Sequence, residues 1–273
     1  MGMSFIESAL LLHHSVVLQT MLNNCQSWTN LSLKDIKRLE VVQLRHLKRI
    51  VRAPSSTPNV FVFLEMGVLP LIYHIHMRQL GFLHHILHLT EDDPVKQMYD
   101  TQLLLPYEKN WSNKIHSLLL EYNLEFSTIF TVSKASWKEM VRKVVSRKAF
   151  SRLESLSSSM AKVKLVKYQS FSCQKYLREF DWKSASILFK LRGRVADCKA
   201  NRKSSLSQEV DSLCRACGVD EETQEHIINC EKVSLDDKGK IEITLVYRDL
   251  STNDPVIRAI INRYDLFIEL IYR

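Results

Sequence analysis

The sequence points to a mainly α-helical protein. It divides into a helical bundle over residues 1–133, a basic helical connector over 134–203, and a small Cys/His module with a tail over 204–273. Three observations support this. Gly and Pro number only six each among 273 residues, too few for a turn-rich β protein. Apolar side chains recur at helical spacing through several long stretches. Three cysteines and a histidine crowd together near the C-terminal end. With 45% hydrophobic and 25% charged residues the composition is that of an ordinary globular chain, long enough for two modest domains or one large one.

Residues 5–28 are apolar with sparse charge and predict a helix ending near Asn23-Asn24. Ser32 and Asp35 then form a capping-box arrangement, with an acid in the first turn of a second helix. On that helix Ile36, Leu39, Gln43, Leu47 and Ile50 share one side, and Lys34, Arg38, Arg45, Lys48, Arg49 and Arg52 share the other. It should stop at Ala53-Pro54, because a residue before proline avoids the helical region. A loop over 53–58 leads into an apolar stretch from Val60 to Tyr73. From about Leu71 to Leu89 the pattern is helical again, with Ile72, Ile75, Leu80, Leu83 and Leu87 as core candidates. His74, His76, His84, His85 and His88 crowd this helix. His84 and His88 stand at i, i+4, but without a cysteine or a third ligand nearby they read as surface or half-buried histidines. The run Thr90-Glu-Asp-Asp-Pro94 ends this helix and opens the next. Two helices are expected over 95–130, with Trp111, Ile115, Leu118, Leu119 and Tyr122 on the apolar face.

The connector opens with a helix over about 134–155, carrying Lys134, Lys138, Arg142 and Arg152 among Val141, Val144 and Val145, and a serine-rich break at 155–159 follows. Tyr168, Phe171, Tyr176, Phe180 and Trp182 are interleaved with basic residues. The piece Trp182–Asn201 predicts a helix with Ile187, Leu188 and Leu191 inward and with Lys190, Arg192 and Arg194 outside. A polar linker, 201–208, leads into the Cys/His module. Beyond it, Ile241, Ile243, Leu245 and Tyr247 alternate with polar residues, a short-strand pattern after turn residues at 237–239. Asp254-Pro255 is an N-cap and first-turn pair for a last helix packed through Val256, Ile260, Tyr264, Phe267 and Ile271.

The module itself carries the chemistry. Cys214 and Cys217 lie two residues apart, and His226 and Cys230 lie four positions apart, all within 17 residues. Three thiolates and one imidazole are a full tetrahedral ligand set for Zn²⁺. His226 and Cys230 share one face of a short helix that Thr223 can cap, and Gly218 supplies the freedom a tight turn needs. No ligand position is left open, so the expected zinc is structural.

The formal net charge of +8 is unevenly spread. Residues 1–133 carry 11 basic and 11 acidic side chains, residues 134–203 carry 19 and five, and residues 204–273 carry eight and 14. A polyanion would be drawn to the middle third. No stretch reaches about 18 consecutive apolar residues, as a membrane span requires, and the first residues lack the basic region of a signal peptide. Six cysteines, three of them at metal spacing, argue for a reducing compartment and against a disulfide framework. A soluble intracellular protein is expected.

Two blocks of sequence resemble one family. The first comprises Leu22-Asn-Asn-Cys-Gln-Ser-Trp28, Asp35-Ile-Lys-Arg-Leu-Glu40, Ala53-Pro-Ser-Ser-Thr-Pro58, Glu65-Met-Gly-Val-Leu-Pro70 and Met77-Arg78. It resembles the thumb and following helices of reverse transcriptases of non-LTR (LINE-like) retrotransposons. The second comprises Phe189-Lys-Leu-Arg192, then Cys214, Cys217, Glu222-Thr223, His226 and Cys230, and is similar to the C-terminal zinc knuckle of the same polyproteins. The blocks occur in the family's order and span roughly residues 5–230. The resemblance implies a thumb-like bundle that lies against a template–primer duplex. In that family the catalytic aspartates sit on a palm N-terminal to the thumb. Two-metal phosphoryl transfer needs carboxylates held close on rigid elements, whereas Asp92-Asp93 precede Pro94 and Asp236-Asp237 fall in a turn. No nucleophile–base arrangement is evident either, so no enzymatic activity is expected.

Binding remains. The stripe Lys34, Arg38, Arg45, Lys48, Arg49 and Arg52 covers about five helical turns, enough to follow a nucleic-acid backbone, or it is simply a solvated face. Lys138, Arg142, Lys190, Arg192 and Arg194 in the connector would neutralise phosphates of RNA or DNA without reading sequence. Tyr168, Tyr176 and Trp182 would stack on bases or belong to the core. Arg215 could meet a phosphate, although Asp220, Glu221, Glu222 and Glu225 surround it. A zinc-stabilised protein–protein module is the alternative, as is a remnant open reading frame, and an exposed thumb surface would favour self-association or a palm-containing partner.

Overall fold

The computed structural model describes residues 4–29, 31–105, 110–203, 211–234, 239–248 and 250–272. Among these, helices follow one another without a sheet, and the single β feature is an isolated bridge between Leu213 and Glu221. The mainly α expectation holds.

Helix α1 (Phe5–Leu12) begins at a capping box, in which the Glu7 amide donates to Ser4 Oγ at 3.2 Å and the Ser4 amide to Glu7 Oε2 at 3.0 Å. A π-helical turn (His13–Val17) carries the chain into α2 (Leu18–Met21). The run ends where Asn24 takes φ 54°, at the asparagine pair expected to stop it. Helix α3 (Leu33–Ile50) starts at the predicted Ser32/Asp35 box, the Asp35 amide donating to Ser32 Oγ at 3.2 Å. Helix α4 (Asn59–Met66) is closed by Gly67. That residue has φ 61°, and a Cβ there would lie 2.3 Å from the Cys173 backbone nitrogen, so both conformation and space demand glycine. Helix α5 (Leu71–Leu87) is followed by α6 (Pro94–Leu104), whose N-cap Asp93 accepts from the Val95 amide at 2.8 Å. Helix α7 (Trp111–Glu121) and the single turn α8 (Thr128–Thr131) complete the stretch expected to hold two helices.

Helix α9 (Lys134–Ser159) runs straight through the expected serine-rich break. Val145, Ala149, Leu153 and Ser157 are all buried at four-residue intervals, so helical periodicity persists through the serines. Helices α10 (Lys175–Glu179), α11 (Trp182–Arg192) and α12 (Lys199–Lys203) follow. The single helix expected over Trp182–Asn201 is therefore two. Gly193 caps α11, and Arg194 at φ 51° turns the chain out of it. Helix α13 (Gln224–Asn229) belongs to the Cys/His module, and α14 (Pro255–Tyr272) starts at Asp254, which accepts from the Val256 amide at 2.8 Å. The expected strand near residue 243 is instead a 3₁₀ turn over Ile243–Tyr247. Ile243, Val246 and Tyr247 are buried while Leu245 is only half-buried, a spacing of three and four rather than two. The expected turn at 237, the pair Asp236-Asp237 and the linker beyond Lys203 lie outside the described residues.

The chain gathers into two compact units. One comprises residues 1–11, 45–67 and 154–273, the other 12–44 and 68–153. The expected boundaries at 133/134 and 203/204 do not coincide with these, because each unit collects segments distant in sequence.

In the second unit α5 is central and packs on α6, α7, α8 and the 3₁₀ turn Cys25–Ser27. Leu18, Leu22, Cys25, Leu71 and Ile75 form a core cluster with Trp28 and Leu39 against it. Indole N–H groups are anchored on carbonyls, Trp111 to Gln26 at 2.8 Å and Trp137 to Leu80 at 2.9 Å. The histidines of α5 are structural. His84 is buried, deeper than expected, and stacks on His88 with ring centres 4.1 Å apart. Their nitrogens face the carbonyl oxygens of Val132 and His84 respectively. His76 Nδ1 lies 2.7 Å from the Tyr122 hydroxyl, and burial lowers its pKa to about 4.

In the first unit α11 and α14 pack on each other, and both meet the 3₁₀ turn; α14 also covers α13. At its centre sits a charge. Glu65 is fully buried on α4 and receives the Tyr168 hydroxyl at 3.0 Å, the Tyr176 hydroxyl at 2.6 Å, and the Arg192 guanidinium at 3.0 to 3.3 Å. Burial, then the Glu65 carboxylate, hold both phenols well above their ordinary range.

Candidate metal centre and basic surfaces

Local backbone geometry brings the four module side chains together. The Cys214 amide donates to the Asp220 carbonyl at 2.7 Å, and the Gly218 amide to the Cys214 carbonyl at 2.8 Å, closing a tight knuckle in which Gly218 takes φ 72°. Thr223 caps α13 as predicted, its hydroxyl accepting from the His226 amide at 3.0 Å. The helix presents His226, and Cys230 follows at its C-terminal end. The ligand atoms of Cys214, Cys217, His226 and Cys230 all lie within 4.8 Å of one another. Tetrahedral coordination with metal–thiolate bonds of about 2.3 Å sets ligand atoms roughly 3.8 Å apart, inside that bound. The four residues can hold a metal ion.

Two of the thiols are tuned in opposite directions. Backbone amides of Asp220 and Val219 lower the Cys217 thiol pKa to about 6, while burial pushes Cys230 up to about 12. His226 Nε2 approaches Cys217 Sγ at 3.4 Å, and its Nδ1 lies 3.5 Å from Asp220 Oδ2, an outer carboxylate that orients the ring. Cys214 and Cys230 are buried, and Cys217 and His226 are half-buried.

The knuckle is braced from behind. Buried Glu222 accepts from the Arg215 amide at 2.8 Å, the Arg215 guanidinium at 2.7 Å and the Lys199 amide at 2.9 Å. Arg215 also pairs with Asp197 at 3.6 Å. It is therefore a structural tie and presents no free charge to a phosphate, a correction to its expected role.

The predicted cationic residues fall into three groups. Lys34, Arg38, Arg45, Arg49 and Arg52 on and after α3, with Lys138 and Arg142 on α9, are exposed. Of these, Arg38 lies 3.6 Å from Asp35, Arg142 lies 3.4 Å from Glu139, and Arg52 stacks 3.8 Å over the Trp182 ring. Lys48, Lys190 and Arg194 are half-buried. Lys48 donates to the Ser55 carbonyl and to Asn59, while Arg194 meets the Tyr247 hydroxyl and Glu225. Arg192 is the third group and contradicts expectation: its side chain is 3% exposed and committed to Glu65, so it cannot contact a phosphate. Tyr168 and Tyr176 are likewise buried on Glu65 and cannot stack on bases. The sequence signal for this network was Glu65 itself, a lone carboxylate inside an apolar run.

Two clefts gather some of these cations, whereas Lys34, Arg38, Arg45 and Arg49 line neither. In the first unit a cleft of about 510 Å³ is lined by Arg52, Lys162, Lys190, Arg202 and Asp197. Burial, then Arg52, lowers the Lys190 pKa. In the second unit a groove of about 490 Å³ is lined by Lys134, Lys138, Arg142, Arg78, Phe82 and His85. Lys162 joins the first by tertiary packing that no local pattern announces. No single helix among the described residues is long and apolar enough to cross a membrane. Protein-family models, curated proteins and solved structures include none that matches this chain.

Proposed function

We propose that this chain is a non-catalytic nucleic-acid-binding segment of the LINE-like reverse transcriptase type, spanning thumb to knuckle, with one structural zinc. Zinc is favoured by the donor set, since three thiolates and an imidazole in a closed tetrahedron suit that ion. The zinc would hold a segment too short to build its own core. Cys214, Cys217, His226 and Cys230 would bind it, leaving no position for a substrate.

The observation that carries nucleic-acid binding is the convergence of Arg52 with Lys162 and Lys190. These residues are distant in sequence, and their like charges share one cleft. Asp197, the acid there, is already engaged by Arg202 and Arg215. The groove beside Lys134, Lys138 and Arg142 has no carboxylate among its lining residues. Both suit backbone phosphates rather than base edges. Catalysis is not part of the proposal: Asp93 is engaged as the N-cap of α6, and among the described residues no strand holds its neighbour Asp92 beside a third aspartate.

A second reading, a zinc-stabilised protein–protein module, draws on the knuckle rim. Val219 is 67% exposed and Leu213 44% exposed, with exposed Asp220, Glu221 and Glu225 beside them. Anisotropy titrations of labelled RNA and DNA separate the two. Affinity should fall steeply between about 50 and 200 mM salt and weaken in Arg52→Gln/Lys190→Gln. Absence of binding even at about 50 mM salt would overturn the proposal, and extension of a primed template would overturn its non-catalytic part.

A further inference from the structure

The first unit contains another cavity, separate from the clefts assigned above and from the metal centre. It measures about 610 Å³ and is lined by Lys167, Lys175, Arg178 and Arg248, with Ser170 and Thr244 among the uncharged groups. No Asp or Glu belongs to the lining. Lys175 lies 3.8 Å from Glu179, whereas Lys167, Arg178 and Arg248 have no carboxylate partner among the described residues. Cations held close without acids repel one another, and an anion between them removes that cost.

The buried Glu65–Arg192 pair holds the walls of this cavity in place. One wall is tied to Glu65 through the hydroxyls of Tyr168 and Tyr176, and through the Gln174 amide, which donates to the Glu65 carbonyl at 2.9 Å. The opposite wall is tied to Arg192, which donates to the carbonyls of Val246 and Arg248, the latter at 2.9 Å. Gly67 lets the backbone at 172–173 lie directly on the end of α4. Glu65 and Arg192 neutralise each other, so the four exposed cations set the charge of the cavity. These ties hold the backbone of both walls of the cavity to buried groups, which reduces the ordering cost of binding. Its aromatic residue, Tyr247, is buried against Arg194 and offers no face for a base.

We infer that this cavity binds a compact chain of two or three phosphoryl groups, whether of a free polyphosphate or nucleotide or at the 5′ end of an RNA. Three cations without carboxylate partners, with Lys175 beside them, line one half-open cavity and match a polyphosphate better than the single charge per residue of an extended strand, and hydroxyls complete its hydrogen bonding. The inference is independent of the nucleic-acid reading, which rests on other residues.

The test is calorimetric titration of the full, zinc-loaded chain with inorganic tripolyphosphate at about 100 mM salt. Saturable one-to-one binding is expected, weakened about tenfold or more in Arg178→Gln/Arg248→Gln by loss of two charge-assisted contacts. Lys143→Gln/Arg147→Gln, exposed on α9 and outside this cavity, should leave it unchanged. Lys167→Gln, at an exposed loop position, gives a second reading if the double variant unfolds, with a loss of severalfold expected. No saturation below about 1 mM, or equal affinity in all variants, would overturn the inference. Competition by 5′-triphosphate RNA identifies an RNA end as a source, and competition by nucleoside triphosphate alone identifies the free ligand. Equal competition by 5′-hydroxyl RNA would mean a general polyanion surface and would also overturn it.

Discussion

Replacing Glu65 by Gln removes one charge and almost no volume, so its effect isolates the electrostatics of the first unit. Both partners are dry, with Glu65 0% and Arg192 3% exposed at the side chain. The amide of Gln keeps one oxygen and so can accept from Tyr168 or Tyr176 but not both, because their hydroxyls meet different carboxylate oxygens; its NH₂ faces donors and leaves the Arg192 charge uncompensated. Removing one partner of a buried ion pair costs about 3–5 kcal/mol. The upper part of that range is expected here, because five hydrogen bonds converge on the two carboxylate oxygens. Urea unfolding followed by tryptophan fluorescence reads the change, since Trp182 lies in the same unit. The pair Glu65→Leu/Arg192→Met should recover most of the loss, as apolar replacements of buried pairs do. A loss below about 1 kcal/mol in Glu65→Gln, the scale of an exposed pair, would refute the network as drawn.

Two further outcomes follow from the same geometry. Burial lowers the pKa of His74 and of His76 to about 4 from the ordinary 6.5. The unfolded chain therefore binds more protons between those values, and stability must fall as pH drops from 6.5 towards 4, by at most about 1.4 kcal/mol per pH unit for each histidine. Urea midpoints across that range check this, and His76→Phe should flatten the slope; a flat wild-type profile would contradict the burial. Separately, Cys217→Ser should lower the melting temperature and make it insensitive to chelator, whereas the parent chain should be destabilised by chelator.

Much of the fold was legible because its signals are local. Ser32 with Asp35, Asp93 with Pro94, and Asp254 with Pro255 mark helix starts through bonds made within four residues, and each start stands where it was expected. The metal group was legible for the same reason, since its four ligands share one short loop and turn. Failures arose where burial came from distant partners. Arg192 looked like a surface cation because helical periodicity cannot see Glu65, 127 residues away. Serines looked like a break because Ser157 packs inward instead of marking a loop. Alternation at 241–247 looked like a strand, but with no strand among the described residues to pair with, its apolar residues turned inward as a 3₁₀ coil.

Metal content of the purified chain tests the central claim most directly. One tightly held zinc per chain is expected, with cobalt substitution giving a tetrahedral thiolate spectrum and Cys217→Ser losing both. A chain with well under one equivalent after refolding in excess zinc, or a Cys217→Ser variant that binds as well as the parent, would contradict the account.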